Sequence, residues 1–201
     1  MTIEAHAVSD AARPRANGAV FCPVLPRPEA QPLLAFGGYR PEAALHVILN
    51  MRPADRAEVF ATRVDEDPFA VFGEIHAARA LMLWAEIAYD RDACGAPLAF
   101  FAVMHRTPGV GSACMLATPL LRPMQARAIA TRVRRRVIPK LAGLGLRRVD
   151  CLSAVGHREA HAFLRWCGAS VESLRPAIGK RGVDFVEFVW LARGAAEGRP
   201  A

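Results

Sequence analysis

From Met82 to Leu121 the chain alternates three apolar runs with short breaks. The runs are MLWAEIAYD (82–90), APLAFFAVMHRT (96–107) and SACMLATPLL (112–121), separated by RDACG and PGVG. Apolar segments of this length, joined by a few turn residues, have room only for hairpin connections and so predict an antiparallel meander. The next segment, RPMQARAIATRVRRRVIPKLAGLG (122–145), changes period: Ala126, Ile129, Val133, Val137 and Leu141 form one helical stripe. Pro139 predicts a kink or an end in that helix. LRRVDCLSAV (146–155) reads as a buried strand and GHREAHAFLRWCG (156–168) as a short amphipathic helix stopped by Gly168. ASVESLRPAIG and FVEFVWLAR, flanking KRGVD, predict a final hairpin.

Upstream of the meander, ALHVILNM (44–51) is rich in large and β-branched apolar residues and predicts a first strand. RPADRAEVFAT predicts a helix with proline in its first turn, and DEDPFAVFGEIHAARAL a second one capped by Asp67 with Pro68 behind it. Residues 1–43 carry prolines at 14, 23, 26, 28, 32 and 41 and read as an extended arm; residues 194–201 read as a frayed tail. The body, 44–193, is therefore β-α-α-β-β-β-α-β-α-β-β. That is an α/β (α+β) fold with a mixed, mostly antiparallel sheet and helices on both faces.

Charge narrows the choice of partners. With 26 Lys and Arg against 19 Asp and Glu, the net charge of +7 favours anionic partners such as nucleic acid or phosphorylated cofactors. The densest basic run, Arg132 with Arg134, Arg135 and Arg136, is either a solvated helix face or a set of phosphate contacts. No run of about 18 apolar residues occurs, so no membrane span is expected. The first residues lack the basic start and apolar core of a signal peptide, and a cytoplasmic location is expected. The five cysteines are irregularly spaced, without Cys-x-x-Cys, and read as free thiols. His157 and His161 lie four apart but outside a His-Glu-x-x-His pattern and with no third ligand nearby, so no metal is expected.

The order of elements resembles that of the GNAT (GCN5-related N-acetyltransferase) superfamily of acyl-CoA-dependent N-acyltransferases. VILNMRPADRAEVF is similar to the family's opening, a strand followed by Arg-x-x-Asp and a helix. The helix before the last hairpin is similar to the family's Asn-x-x-Ala-x-x-Phe-Tyr-x-x-x-Gly-Phe: here it reads His157, Ala160, Phe163, Leu164, Gly168 and Ala169. HREAHAFLRWCGASVESLRPAIGKRGVDFVEFVW further resembles phage-encoded GNAT-like proteins, including internal virion proteins of short-tailed phages.

The resemblance implies acetyl-CoA or another acyl-CoA as cofactor and an amine as acceptor. It places the acyl group beside Met115, Leu116, Ala117 and Thr118, and the pyrophosphate at the start of the following helix, on Arg122, Gln125, Ala126 and Arg127. Such chemistry needs a proton acceptor, for which Glu86, Asp90 and His157 are the candidates. Two departures from the family pattern stand out. Leu164 occupies the position that usually holds tyrosine, and Arg122–Ala128 contains no glycine. Three functions follow as expectations: an N-acyltransferase with an unorthodox site; a non-catalytic protein of a phage particle, partnered by other particle proteins and packaged with them; and a basic DNA-associated module.

Overall fold

The sheet begins earlier than the sequence suggests. In the computed structural model, which describes residues 34–91 and 95–192, Leu34–Gly38 forms strand β1. It pairs antiparallel with β2 (Met82–Asp90), from Leu34 opposite Asp90 to Gly38 opposite Glu86. The prolines just upstream mask it: five residues at a sheet edge are too few to stand out beside them. Of the expected arm, 1–43, the residues up to 33 lie outside the described residues, as do the expected tail, 194–201, Cys22 and Cys94.

The expected strand at 44–51 is instead helix α1, Pro41–Leu49. Pro41 sits in its first turn, and Ala43, Ala44, Val47 and Ile48 are buried. Spacings of three and four put these residues on one helical face, and a short apolar run does not by itself distinguish that pattern from a buried strand. Arg52-x-x-Asp55 therefore opens a second helix, α2 (Pro53–Ala61), rather than following a strand. Helix α3, Pro68–Ala77, starts as expected, with the Asp67 carboxylate accepting from Phe69 N at 2.9 Å.

The meander forms as read. β2 pairs with β3 (Pro97–Thr107), and β3 with β4 (Val110–Ala117). After β4 the chain runs through α4 (Pro123–Arg132), a π-helical turn at Val133–Val137 and α5 (Ile138–Gly143). Pro139 does not end this helix. Ile138 N donates to Val133 O, five residues back, and the widened turn carries the helix across the position where proline lacks an N–H.

Strand β5 (Arg148–Ala154) then enters the sheet parallel to β4. Helix α6 (Arg158–Cys167) ends on Gly168, whose φ of 93° is the left-handed cap conformation. The hairpin of β6 (Ser170–Gly179) and β7 (Val183–Leu191) completes a seven-stranded sheet of order β1-β2-β3-β4-β5-β7-β6. Every pairing is antiparallel except β4 with β5.

Two apolar cores lie on opposite faces. One packs Ile129, Val137 and Leu141 against Phe101 and Val103. The other packs α1 to α3, through Val47, Ile48, Phe60 and Val71, against Ile87 and Phe100. The β4–β5 pairing is short: it joins Val110 to Arg148, Gly111 to Val149 and Ser112 to Asp150, and goes no further. At its centre Gly111 is closely enclosed, since a Cβ there would meet Val103 Cγ1 at 2.8 Å. Beyond Ser112 the strands separate, and this gap positions the candidate site.

Candidate functional site: the gap between β4 and β5

Where β4 and β5 part, a cavity of about 910 Å³ passes between the two faces of the sheet. Its walls are Asp55, Glu58 and Val59 of α2 on one side and Val133 and Val137 of the π turn on the other, with Met115 of β4 between them. Strand alternation decides which β4 groups face it. Thr118 N donates to Leu98 O at 2.8 Å, so the even-numbered residues bond to β3. The N–H and C=O of Ala113, Met115 and Ala117 consequently point to the side β5 has left.

Of these three residues, Ala117 is already engaged. Its N–H donates to Asp55 Oδ2 at 2.7 Å, and its carbonyl accepts from Arg52 N at 2.8 Å. Of the four residues expected beside an acyl group, Met115 alone offers its backbone to the gap. Leu116 and Thr118 turn theirs to β3, and Ala117 is closed by the start of α2. The Thr118 hydroxyl is buried in the cavity wall without a hydrogen-bond partner.

A polar cluster forms the α2 end. Glu58 Oε2 accepts from Ser153 Oγ at 2.8 Å, from Ala154 N at 2.8 Å and from His157 Nδ1 at 2.9 Å. Three donors on one oxygen mark an ionised carboxylate, which assigns the imidazole proton to Nδ1 and a lone pair to Nε2. Nε2 lies 3.3 Å from Asp55 Oδ1, yet makes no hydrogen bond. The distance alone would suggest an ion pair, but with the ring proton on Nδ1 the imidazole brings Nε2 to Asp55 as a second acceptor. Asp55 Oδ1 is occupied by Arg52 Nε at 2.8 Å, and Arg52 Nη1 reaches Glu159 Oε2 at 2.9 Å.

Burial pushes the Asp55 carboxyl above the usual range, against the opposing pull of Arg52 and of the Ala117 N–H. An acid raised in the folded state contributes stability at pH below its unfolded value and loses it as pH rises through the folded value. At neutral pH, Asp55 is therefore held in place at some expense to the fold.

The other expected site residues lie elsewhere. Glu86 is outside the cavity, on the α4 face and 7% exposed. Arg132 donates to both of its oxygens, Nε to Oε2 at 2.7 Å and Nη2 to Oε1 at 2.6 Å. Asp90 is buried, accepting from Gln125 Nε2 at 3.2 Å and lying 3.5 Å from Arg122 Nη2. Gln125 lies in the glycine-free stretch after Arg122, but it is fully buried and its Oε1 accepts from Arg122 N at 3.0 Å. Its side chain thus points into the core instead of crowding the helix start. Ala126 lines the cavity, and Arg127 stacks on Trp166 at 4.9 Å.

His161 packs on Phe188, ring centroids 5.1 Å apart, and burial lowers its pKa. Among the described residues no group of three His, Cys, Asp or Glu is placed to hold a metal, and no helix is long and apolar enough to cross a membrane. Cys114, Cys151 and Cys167 are free thiols, with burial raising Cys114 to about 11, Cys167 to about 12 and Cys151 further still. Arg134, Arg135 and Arg136 are exposed.

No protein-family model matches the chain, and no curated protein matches it. Solved structures do. A GNAT-superfamily phosphinothricin acetyltransferase from Sinorhizobium meliloti, in complex with acetyl-CoA, superposes with a TM-score of 0.62 at 13% identity, over 84% of this chain and 94% of that one. A spermidine N-acetyltransferase from Vibrio cholerae, in complex with CoA and spermine, gives 0.59 at 14% identity, over 82% and 98%. A ribosomal-protein-alanine N-acetyltransferase from Brucella melitensis gives 0.62 at 9% identity, over 79% and 99%. At such identities the likeness is one of fold: the chain has the architecture of the GNAT acetyltransferases.

Proposed function

We propose that the chain is an acyl-CoA-dependent N-acyltransferase working in the gap between β4 and β5. One observation carries this reading. Beyond Ser112, a strand edge facing no partner strand opens onto a cavity that also holds an imidazole nitrogen with a free lone pair.

The residues fit the acyl end of such a cofactor. Met115 N–H is directed at the gap, where it would polarise a carbonyl, and the walls around it are apolar. The fit continues at α4, whose first-turn N–H groups have no intrahelical acceptor and favour an anion, with Arg122 and Arg127 adding positive charge. Between these points Ala117 would be released by Arg52 and Asp55 or bypassed. Bound acyl-CoA supplies an acyl group on a thioester. The chain supplies the rest: His157 Nε2 accepts a proton from the acceptor amine, and Glu58 at Nδ1 stabilises the imidazolium that results. Leu164 has no proton to give, and Thr118 is the cavity hydroxyl without a partner.

A second reading, a GNAT-like protein of phage origin acting as a virion component without chemistry, is supported by Leu164 and by the closed edge at Ala117. Calorimetric titration with acetyl-CoA separates the two. The acyltransferase reading expects saturable binding; heat indistinguishable from dilution up to millimolar cofactor would leave the scaffold reading.

A further inference from the structure

We propose that the α2 end of the cavity is a subsite for the ammonium group of an apolar monoamine. The role of that amine as acyl acceptor rests on the acyltransferase reading; its binding does not. His157 is 6% exposed and Asp55 3%, and Nε2 lies 3.3 Å from Oδ1 with no hydrogen bond to it. Two acceptors this close repel; Oδ1 accepts from Arg52 Nε at 2.8 Å, whereas buried Nε2 lacks a donor that the fold does not provide. A ligand ammonium placed there donates to Nε2 and gives Oδ1 a second donor.

The surrounding charge requires that donor to be cationic. Asp55, Glu58 and Glu159 line this end of the cavity, and Arg52, tied to Asp55 and Glu159, is the cation among them. With a neutral imidazole, three carboxylates against one guanidinium leave two negative charges uncompensated. An ammonium is drawn there and a carboxylate repelled. Once bound, the ammonium passes one proton to Nε2. The products are a neutral amine with a free lone pair and an imidazolium between Asp55 and Glu58.

The remainder of the cavity sets the rest of the molecule. Val59, Val71 and Ile75 form apolar wall on the same side of the sheet. The other charged lining residue is Arg63, itself paired with Glu74 at 2.8 Å. A second ammonium on the ligand finds no carboxylate along this wall and meets a guanidinium. The subsite therefore selects amines with one charge and a hydrocarbon body over polyamines and amino acids.

The test is calorimetry near neutral pH without acyl-CoA, using n-hexylamine, hexanol, hexanoate and hexamethylenediamine as probes. Hexylamine is expected to bind about tenfold or more tightly than each of the others, as befits a charge-assisted hydrogen bond. Glu58→Gln, which keeps the side-chain shape, is expected to weaken hexylamine by a similar factor; far-ultraviolet circular dichroism checks that the variant is folded. Equal binding of hexanol or the diamine, or no binding of hexylamine, overturns the proposal. Should Glu58→Gln not fold, the ligand series on the unmodified protein decides alone. Hexylamine binding without acetyl-CoA binding would retain the subsite and remove the acyltransferase; the converse would retain the enzyme and remove the subsite.

Discussion

On the acyltransferase reading, replacing His157 by glutamine is expected to lower turnover roughly 10²- to 10⁴-fold, the range for losing a positioned general base. Glutamine is the informative replacement because its amide N–H can still donate to Glu58 Oε2, now served by His157 Nδ1 at 2.9 Å. The half-buried Glu58 carboxylate keeps a donor, and α6 keeps its start. What disappears is a nitrogen able to take and release a proton. The loss should fall on kcat, with acyl-CoA affinity and melting temperature near those of the unmodified protein. A purely structural His157 would give the opposite split: lower stability and full turnover per folded molecule. Unchanged kcat in a folded His157→Gln protein would remove the histidine from the chemistry.

The second large effect is on stability. Glu86→Ala leaves Arg132 without the carboxylate that accepts from both its Nε and Nη2. The pair ties β2 to α4 beneath Phe36, over whose ring the guanidinium sits at 4.3 Å. Removing one member of a buried ion pair costs about 3 kcal/mol, because the other charge stays desolvated. Arg132 is about a quarter exposed, so water compensates part of that loss. Urea unfolding should show the reduced midpoint, whereas Glu86→Ala leaves turnover per folded molecule unchanged. A fall in kcat with normal stability would identify Glu86 as a base after all. The double variant Glu86→Leu with Arg132→Met should recover most of the stability, since no charge is then left unpaired.

These two residues also show what the sequence made legible. Both were visible as candidate proton acceptors from residue type and place in the pattern. Separating them took the three-dimensional arrangement, because Glu86 meets Arg132 from a distant helix, while His157 meets Glu58 ninety-nine residues away in the chain. Asp55 and Glu58 were the residues of the candidate site that the sequence reading missed. Their one local signal is the three-residue spacing in DRAE, which places two acids on one face of α2. That face cannot be called a site until β5 and α6 are known to lie against it.

The fold was more accessible because its cues are local. Turn residues delimit the strands of the meander, and Gly168 closes α6 in the conformation its type favours. Where local cues conflict, the sequence misled. Val47, Ile48 and Leu49 have strand-like composition but belong to the helix that Pro41 starts, and β1 is hidden behind prolines. The absence of glycine after Arg122 leaves side chains at the helix start. Gln125 avoids this by burying its amide against Asp90 and Arg122 N, a solution that no one-dimensional pattern displays.

The acyltransferase reading requires the β4 edge at Met115 to receive an acyl thioester. The most direct measurement follows backbone amides of ¹⁵N-labelled protein by NMR during titration with acetyl-CoA. The account predicts a saturable shift of the Met115 amide, with the lining residues Ala113 and Cys114 moving beside it and amides on the outer strand β6 still. Contradiction would be a Met115 resonance that does not move at millimolar acetyl-CoA, or saturable shifts confined to a surface away from the gap.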